Sequence, residues 1–214
     1  MIKKNDSVLK INSQINFDYW FETDFYNTIF EYGIISGSNK ILLIKPGLDS
    51  DLLGKNDKFY LLGRKIHERY GFTIICCNNP QSDIYNPLED TFRVISDYIK
   101  YMNFTDFEIY YLGDSNGGVI GAKFAHLYPN IKRALLINPP LFISYHKLKD
   151  GMLKFSGEKM TLIFGTLDPS YKFVEFLDNV DNDKISYKCL ENYDHNLSDN
   201  FDLLISIVEE NLIK

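Results

Sequence analysis

From residue 40 onward, short runs dense in Ile, Leu, Val, Tyr and Phe alternate with longer stretches whose apolar residues recur every three or four positions. The short runs read as strands buried on both faces, the longer ones as amphipathic helices. Their alternation predicts an α/β fold: a mostly parallel, doubly wound sheet between two helical layers, a three-layer α/β/α sandwich. Strands are expected at 40–45, 72–77, 108–112, 133–137, 160–164 and 185–190, and helices at 58–70, 88–101, 117–128, 171–177 and 199–213. The last helix has the clearest stripe, with Phe201, Leu204, Ile205, Val208 and Leu212 on one side.

The first 36 residues follow another rule. Positions 11–17 and 26–35 alternate polar with apolar and have no helix between them, which predicts antiparallel strands at a sheet edge. No repeat, low-complexity tract or Pro/Ser-rich linker interrupts the chain, so one domain over 1–214 is expected.

Composition narrows the partners. With 23 Lys+Arg against 29 Asp+Glu the formal charge is −6, and no basic run is long enough to track phosphates, so nucleic acid is excluded as the expected partner. The N-terminal residues lack the apolar run of a signal peptide, and no stretch approaches the roughly 18 apolar residues of a membrane-crossing helix. A cytoplasmic, soluble protein is expected. Cys76, Cys77 and Cys189 lie in apolar strand-like runs without CxxC spacing, and read as buried reduced thiols rather than metal or redox groups.

Chemistry concentrates at 108–125, where an apolar strand runs into Gly113-Asp114-Ser115-Asn116-Gly117-Gly118 and then a small-residue helix. A GxSxG match arises by chance in about 5% of chains this long, but the flanking strand and helix are the context the motif needs. A serine on so sharp a turn requires minimal neighbours, which Gly113 and Gly117 supply. The following helix directs its N–H groups and positive dipole end toward the place where an oxyanion would form. The same residues lack the GxGxxG register of a dinucleotide site.

In this strand, turn and helix the chain resembles the α/β-hydrolase superfamily, as a small esterase-like member with a minimal lid. The resemblance covers about residues 40–214 and implies the chain order nucleophile, acid, histidine. It makes Ser115 the nucleophile. Asp168 follows the strand-like run 160–164 in Gly165-Thr166-Leu167-Asp168-Pro169 and resembles the acid, and His195, just before the C-terminal helix, resembles the base. Asp114 and Asp194 adjoin these positions and read more simply as turn or surface residues, with Asp194 the alternative acid. Among the other histidines, His67 and His126 fall in helices away from the strand ends, and His146 occupies no strand end that the resemblance uses.

The resemblance also assigns an oxyanion loop to Lys45-Pro46-Gly47-Leu48, giving the backbone N–H groups of Leu48 and Asn116 as donors. Many relatives carry His before that glycine, where this chain has Lys45-Pro46. Only residues 138–159 separate the sixth strand from the acid-bearing one, so a shallow, open acyl pocket is expected, with Leu141 and Phe142 as a candidate wall. The function implied is a serine hydrolase of small to medium acyl esters or thioesters that needs no metal or organic cofactor. A non-catalytic ligand-binding protein, an acyltransferase or a peptidase stay open as alternatives; oligomeric state is left unassigned.

Overall fold

The computed structural model describes residues 15–214. Contacts divide the chain into two compact units, Met1–Glu108 and Ile109–Lys214.

In the first unit the strands β1 (Tyr19–Phe25), β2 (Thr28–Ile35), β3 (Lys40–Lys45) and β4 (Thr73–Cys77) lie in the order β1-β2-β4-β3. β1 pairs antiparallel with β2, and β2 antiparallel with β4, whereas β3 runs parallel to β4. Tyr26 and Asn27 join β1 to β2 with φ of 50° and 58°, the paired left-handed geometry of a two-residue hairpin. Tyr26 therefore turns the chain instead of opening a strand, and β2 begins at Thr28. The alternation expected over 11–17 lies outside the described residues up to 14, and 15–17 form no strand; the antiparallel partner is β1 instead. Helix α1 (Lys58–Tyr70) stops at Gly71, whose φ of 70° lets its N–H reach the His67 carbonyl. Helix α2 (Leu88–Tyr101) buries Leu88, Thr91, Val94, Ile95 and Tyr98 along one face.

β5 (Glu108–Asp114), which lies in the second unit from Ile109 onward, and that unit's β6 (Ile131–Ile137), β7 (Lys159–Gly165) and β8 (Ile185–Leu190) are parallel and in chain order. β6 and β7 are inner strands whose Ala134–Ile137 and Met160–Gly165 stretches are buried throughout, as continuous apolar runs require. β8 is the outer strand and is largely exposed. Cys189 is consequently exposed, correcting the expectation of three buried thiols, while Cys76 and Cys77 are buried.

Helix α3 (Asn116–Phe124) follows β5, and a 3-10 turn over Ala125–Leu127 replaces the end of the expected helix. Helix α4 (Tyr145–Lys154) occupies the connection between β6 and β7, where the sequence pattern places no helix, and its buried Leu148 and Met152 hold it down. After β7 the chain forms 3-10 turns over Pro169–Asn179. Helix α5 (Phe201–Val208) starts two residues later than expected, because the Asn200 side chain accepts the Leu203 N–H and caps it. Beyond it Glu209–Ile213 widens to a π-turn, where buried Asn211 donates its side-chain amide to the Ile207 carbonyl.

Candidate active site

Ser115 sits between β5 and α3 with φ 51° and ψ −113°, a backbone region that costs a non-glycine residue on the order of 1–3 kcal/mol. Its N–H donates to the Ile137 carbonyl at the end of β6 (2.8 Å) and its own carbonyl accepts the Val119 N–H (3.2 Å), so the turn is fastened on both sides. Gly113 has no substitute here: a Cβ would lie 2.6 Å from the Gly117 carbonyl oxygen. From below, the Tyr111 hydroxyl donates to that same carbonyl at 2.6 Å.

Asp168 leaves the end of β7 and caps the 3-10 turns with its carboxylate, which accepts the Ser170 N–H at 2.6 Å. Pro169 at the first helical position suits that cap. The second carboxylate oxygen of this buried residue bonds His195 Nδ1. Burial alone would raise the Asp168 pKa, but the hydrogen bonds from His195 and from the Ser170 N–H and side chain outweigh it and leave the carboxyl below its ordinary range. An ionised carboxylate only accepts, so Nδ1 is the nitrogen that carries a proton in this bond, and in the neutral form of the ring the lone pair lies on Nε2.

The segment bearing His195 is tied to the segment bearing Asp168. Leu167 N–H donates to the Tyr193 carbonyl (2.9 Å), and Asn192 N–H donates to Thr166 Oγ1 (2.8 Å). Gly165 permits this approach, since a Cβ there would lie 2.2 Å from the Tyr193 carbonyl oxygen. Asp194, the alternative acid, has its carboxylate accepting the Asn196 N–H at 3.1 Å, in the turn that follows His195. Asp168 is the acid that meets the imidazole.

The remaining histidines stand elsewhere. His67 places Nδ1 2.9 Å from the Phe72 carbonyl, His126 lies in the 3-10 turn after α3, and His146 is in α4 beside Tyr145. Asn116 opens α3, so its N–H belongs to the first turn and is directed toward the helix's N-terminal, positive end. Leu48 follows Gly47 in the loop after β3 and is exposed. That loop is braced from within its own unit: buried Lys45 donates from Nζ to the Asn78 carbonyl (2.8 Å), and Asn79 donates from its side chain to the Pro46 carbonyl (2.9 Å). Burial depresses the Lys45 pKa. Lys45 is thus a buried support for the loop.

Of the two candidate wall residues, Leu141 is wholly buried core, whereas Phe142 is 54% exposed. Phe142 meets Phe173 at 5.5 Å between ring centroids, and Phe173 meets Phe176 at 5.7 Å, forming an aromatic surface that the chain order does not reveal. Asn138 also carried no signal of its own, yet its side chain bridges the ends of β6 and β7 to the His195 segment. Among the described residues no cluster of three or more His, Cys, Asp or Glu is arranged to hold a metal, and no helix is long and apolar enough to cross a membrane.

No family model matches the sequence, and no curated protein matches it. Solved structures do resemble it. An alpha-beta serine hydrolase homologue from Coxiella burnetii superposes with TM-score 0.67 at 15% identity, over 92% of this chain and 99% of that one. Est1E from Butyrivibrio proteoclasticus gives 0.66 at 13% identity, over 89% and 96%. XC6422 from Xanthomonas campestris, described as a serine hydrolase without lid, gives 0.65 at 13% identity, over 89% and 91%. Backbone agreement across nearly the whole of each chain, at so low an identity, fixes the fold: this chain has the α/β-hydrolase fold.

Proposed function

We propose that the chain is a serine hydrolase that cleaves carboxylic esters or thioesters of small to medium acyl groups through an acyl-enzyme on Ser115. The observation that carries this reading is the buried Asp168 carboxylate bonded to His195 Nδ1, in the same unit as a serine held at φ 51°. A carboxylate that fixes the tautomer of an imidazole leaves Nε2 as a base, and a serine hydroxyl is a weak nucleophile without one.

In this mechanism Ser115 Oγ attacks the acyl carbonyl as Nε2 of His195 takes its proton. The C=O electron pair moves onto oxygen, and the N–H of Asn116 stabilises the charge; a donor of this kind contributes about 3 to 4 kcal/mol to the transition state. Collapse expels the alcohol or thiol, which leaves with the proton from His195. Water, deprotonated by the same nitrogen, then attacks the acyl-enzyme and releases the acid and free Ser115. Asp168 remains ionised and stabilises the imidazolium formed in each half-reaction. Phe142 is the proposed wall for the acyl group.

A fluorophosphonate probe is expected to label Ser115, and p-nitrophenyl acetate and butyrate are expected to be hydrolysed faster than long-chain esters. A folded Ser115→Ala variant should lose both labelling and turnover. Retention of full esterase activity by that variant would overturn the reading.

A further inference from the structure

Asn138 stands immediately after β6 with φ 44° and no exposed surface. Asparagine tolerates the left-handed region better than other side chains except glycine, but conformation alone does not account for its bonds. Its backbone N–H donates to the Ile163 carbonyl of β7 at 2.8 Å. Its side-chain oxygen accepts the Gly165 N–H at 2.9 Å, three residues before Asp168. Its side-chain nitrogen donates to the carbonyl of His195 at 2.8 Å and to that of Asp194 at 3.3 Å. The residue before it, Ile137, accepts the Ser115 N–H.

One amide thus stands at the junction of the three segments that carry the serine, the acid and the histidine. The bonds also set which end of the amide points where: an N–H must be met by oxygen, and two carbonyls must be met by NH2. Only a carboxamide of this length supplies both on one planar group. We propose that Asn138 is the positioning residue for His195, holding that residue's backbone against the ends of β6 and β7 so that its imidazole keeps its bond to Asp168. This role rests on the hydrolase reading for its effect on rate, but not for its effect on the imidazole.

The test compares Asn138→Gly, which suits φ 44° and deletes the amide, with Asn138→Asp, which keeps the shape but turns an oxygen toward two carbonyls. Each is expected to fold and to lose the downfield proton resonance of His195 Nδ1–H, which should persist in Ser115→Ala. Turnover of p-nitrophenyl acetate is expected to fall about a hundredfold in kcat, as for a misplacement of about 1 Å, with KM little changed. Asn182→Ala serves as a control, because Asn182 bridges the Met152 and Phe155 carbonyls away from the candidate site, at 2.9 and 3.1 Å. It should alter stability and leave both resonance and kcat as they are.

A resonance retained in Asn138→Gly would sink the proposal. Loss of the resonance in a protein whose wild type hydrolyses no ester would uphold the positioning role and remove the hydrolase reading instead. In the wild type, the Asn138 side-chain protons should exchange with solvent as slowly as core backbone amides. Fast exchange would overturn the proposal even if neither variant folds.

Discussion

Asp168 joins acid stability to the proposed chemistry in one side chain. Its folded pKa is depressed because the bonds from His195 and Ser170 outweigh burial. The stabilisation it contributes is therefore complete above the unfolded carboxylate value of about 3.9 and disappears as pH falls through the lower folded value. Urea midpoints measured from pH 6 downward should show a loss below about pH 4, and Asp168→Asn should lack Asp168's share of it. The same variant removes the acceptor that sets the His195 tautomer, and kcat on p-nitrophenyl acetate should fall about 10⁴-fold, the loss seen when the acid of a serine-protease triad is amidated. A near-normal kcat in a folded Asp168→Asn protein would remove Asp168 from the mechanism.

Strand ends and the turns that follow them place every proposed group, so element-level changes should matter as much as changes to the groups themselves. Gly165→Ala would set a methyl group 2.2 Å from the Tyr193 carbonyl oxygen. The backbone of the His195 segment must then shift, at a cost of about 1 to 3 kcal/mol. Chemical denaturation should register that cost, and Ser115 labelling should slow. The strands and helices were largely legible because each has a period: β3 and β8 begin and end where the pattern places them, as do α1 and α2. α4 was not, because Tyr145-His-Lys-Leu-Lys-Asp-Gly-Met-Leu-Lys buries so few apolar residues and contains a glycine. That glycine is required by packing, since a Cβ on Gly151 would lie 2.2 Å from the Ala122 carbonyl oxygen. The pairing of Asp168 with His195 was legible from their chain order and strand ends. Asn138 was not, because a side chain that bonds backbone carbonyls dozens of residues away leaves no local spacing to read.

For the whole molecule, net charge gives a test of the proposed ester substrates. A chain with formal charge −6 repels anions at long range. Neutral acyl esters should therefore exceed succinyl-type esters of similar size in kcat/KM, with the gap narrowing as salt rises and shortens the Debye length below about 10 Å. A preference for the anionic ester would point to a local cationic site. No step of the proposed mechanism passes through a metal, so dialysis against EDTA should leave ester turnover unchanged. A rate lost on chelation and restored by a divalent cation would replace the mechanism.

The amide at residue 138 is followed by Pro139. Asparagine side chains commonly age to acids when the next residue's backbone nitrogen closes on the side-chain carbonyl to form a cyclic imide, a route that begins from an N–H. Proline has none. The spontaneous clock that would convert this group into the carboxylate of Asn138→Asp is thus stopped by its own neighbour, and prolonged mildly alkaline storage should leave its mass unaltered while other asparagines in the chain gain a dalton.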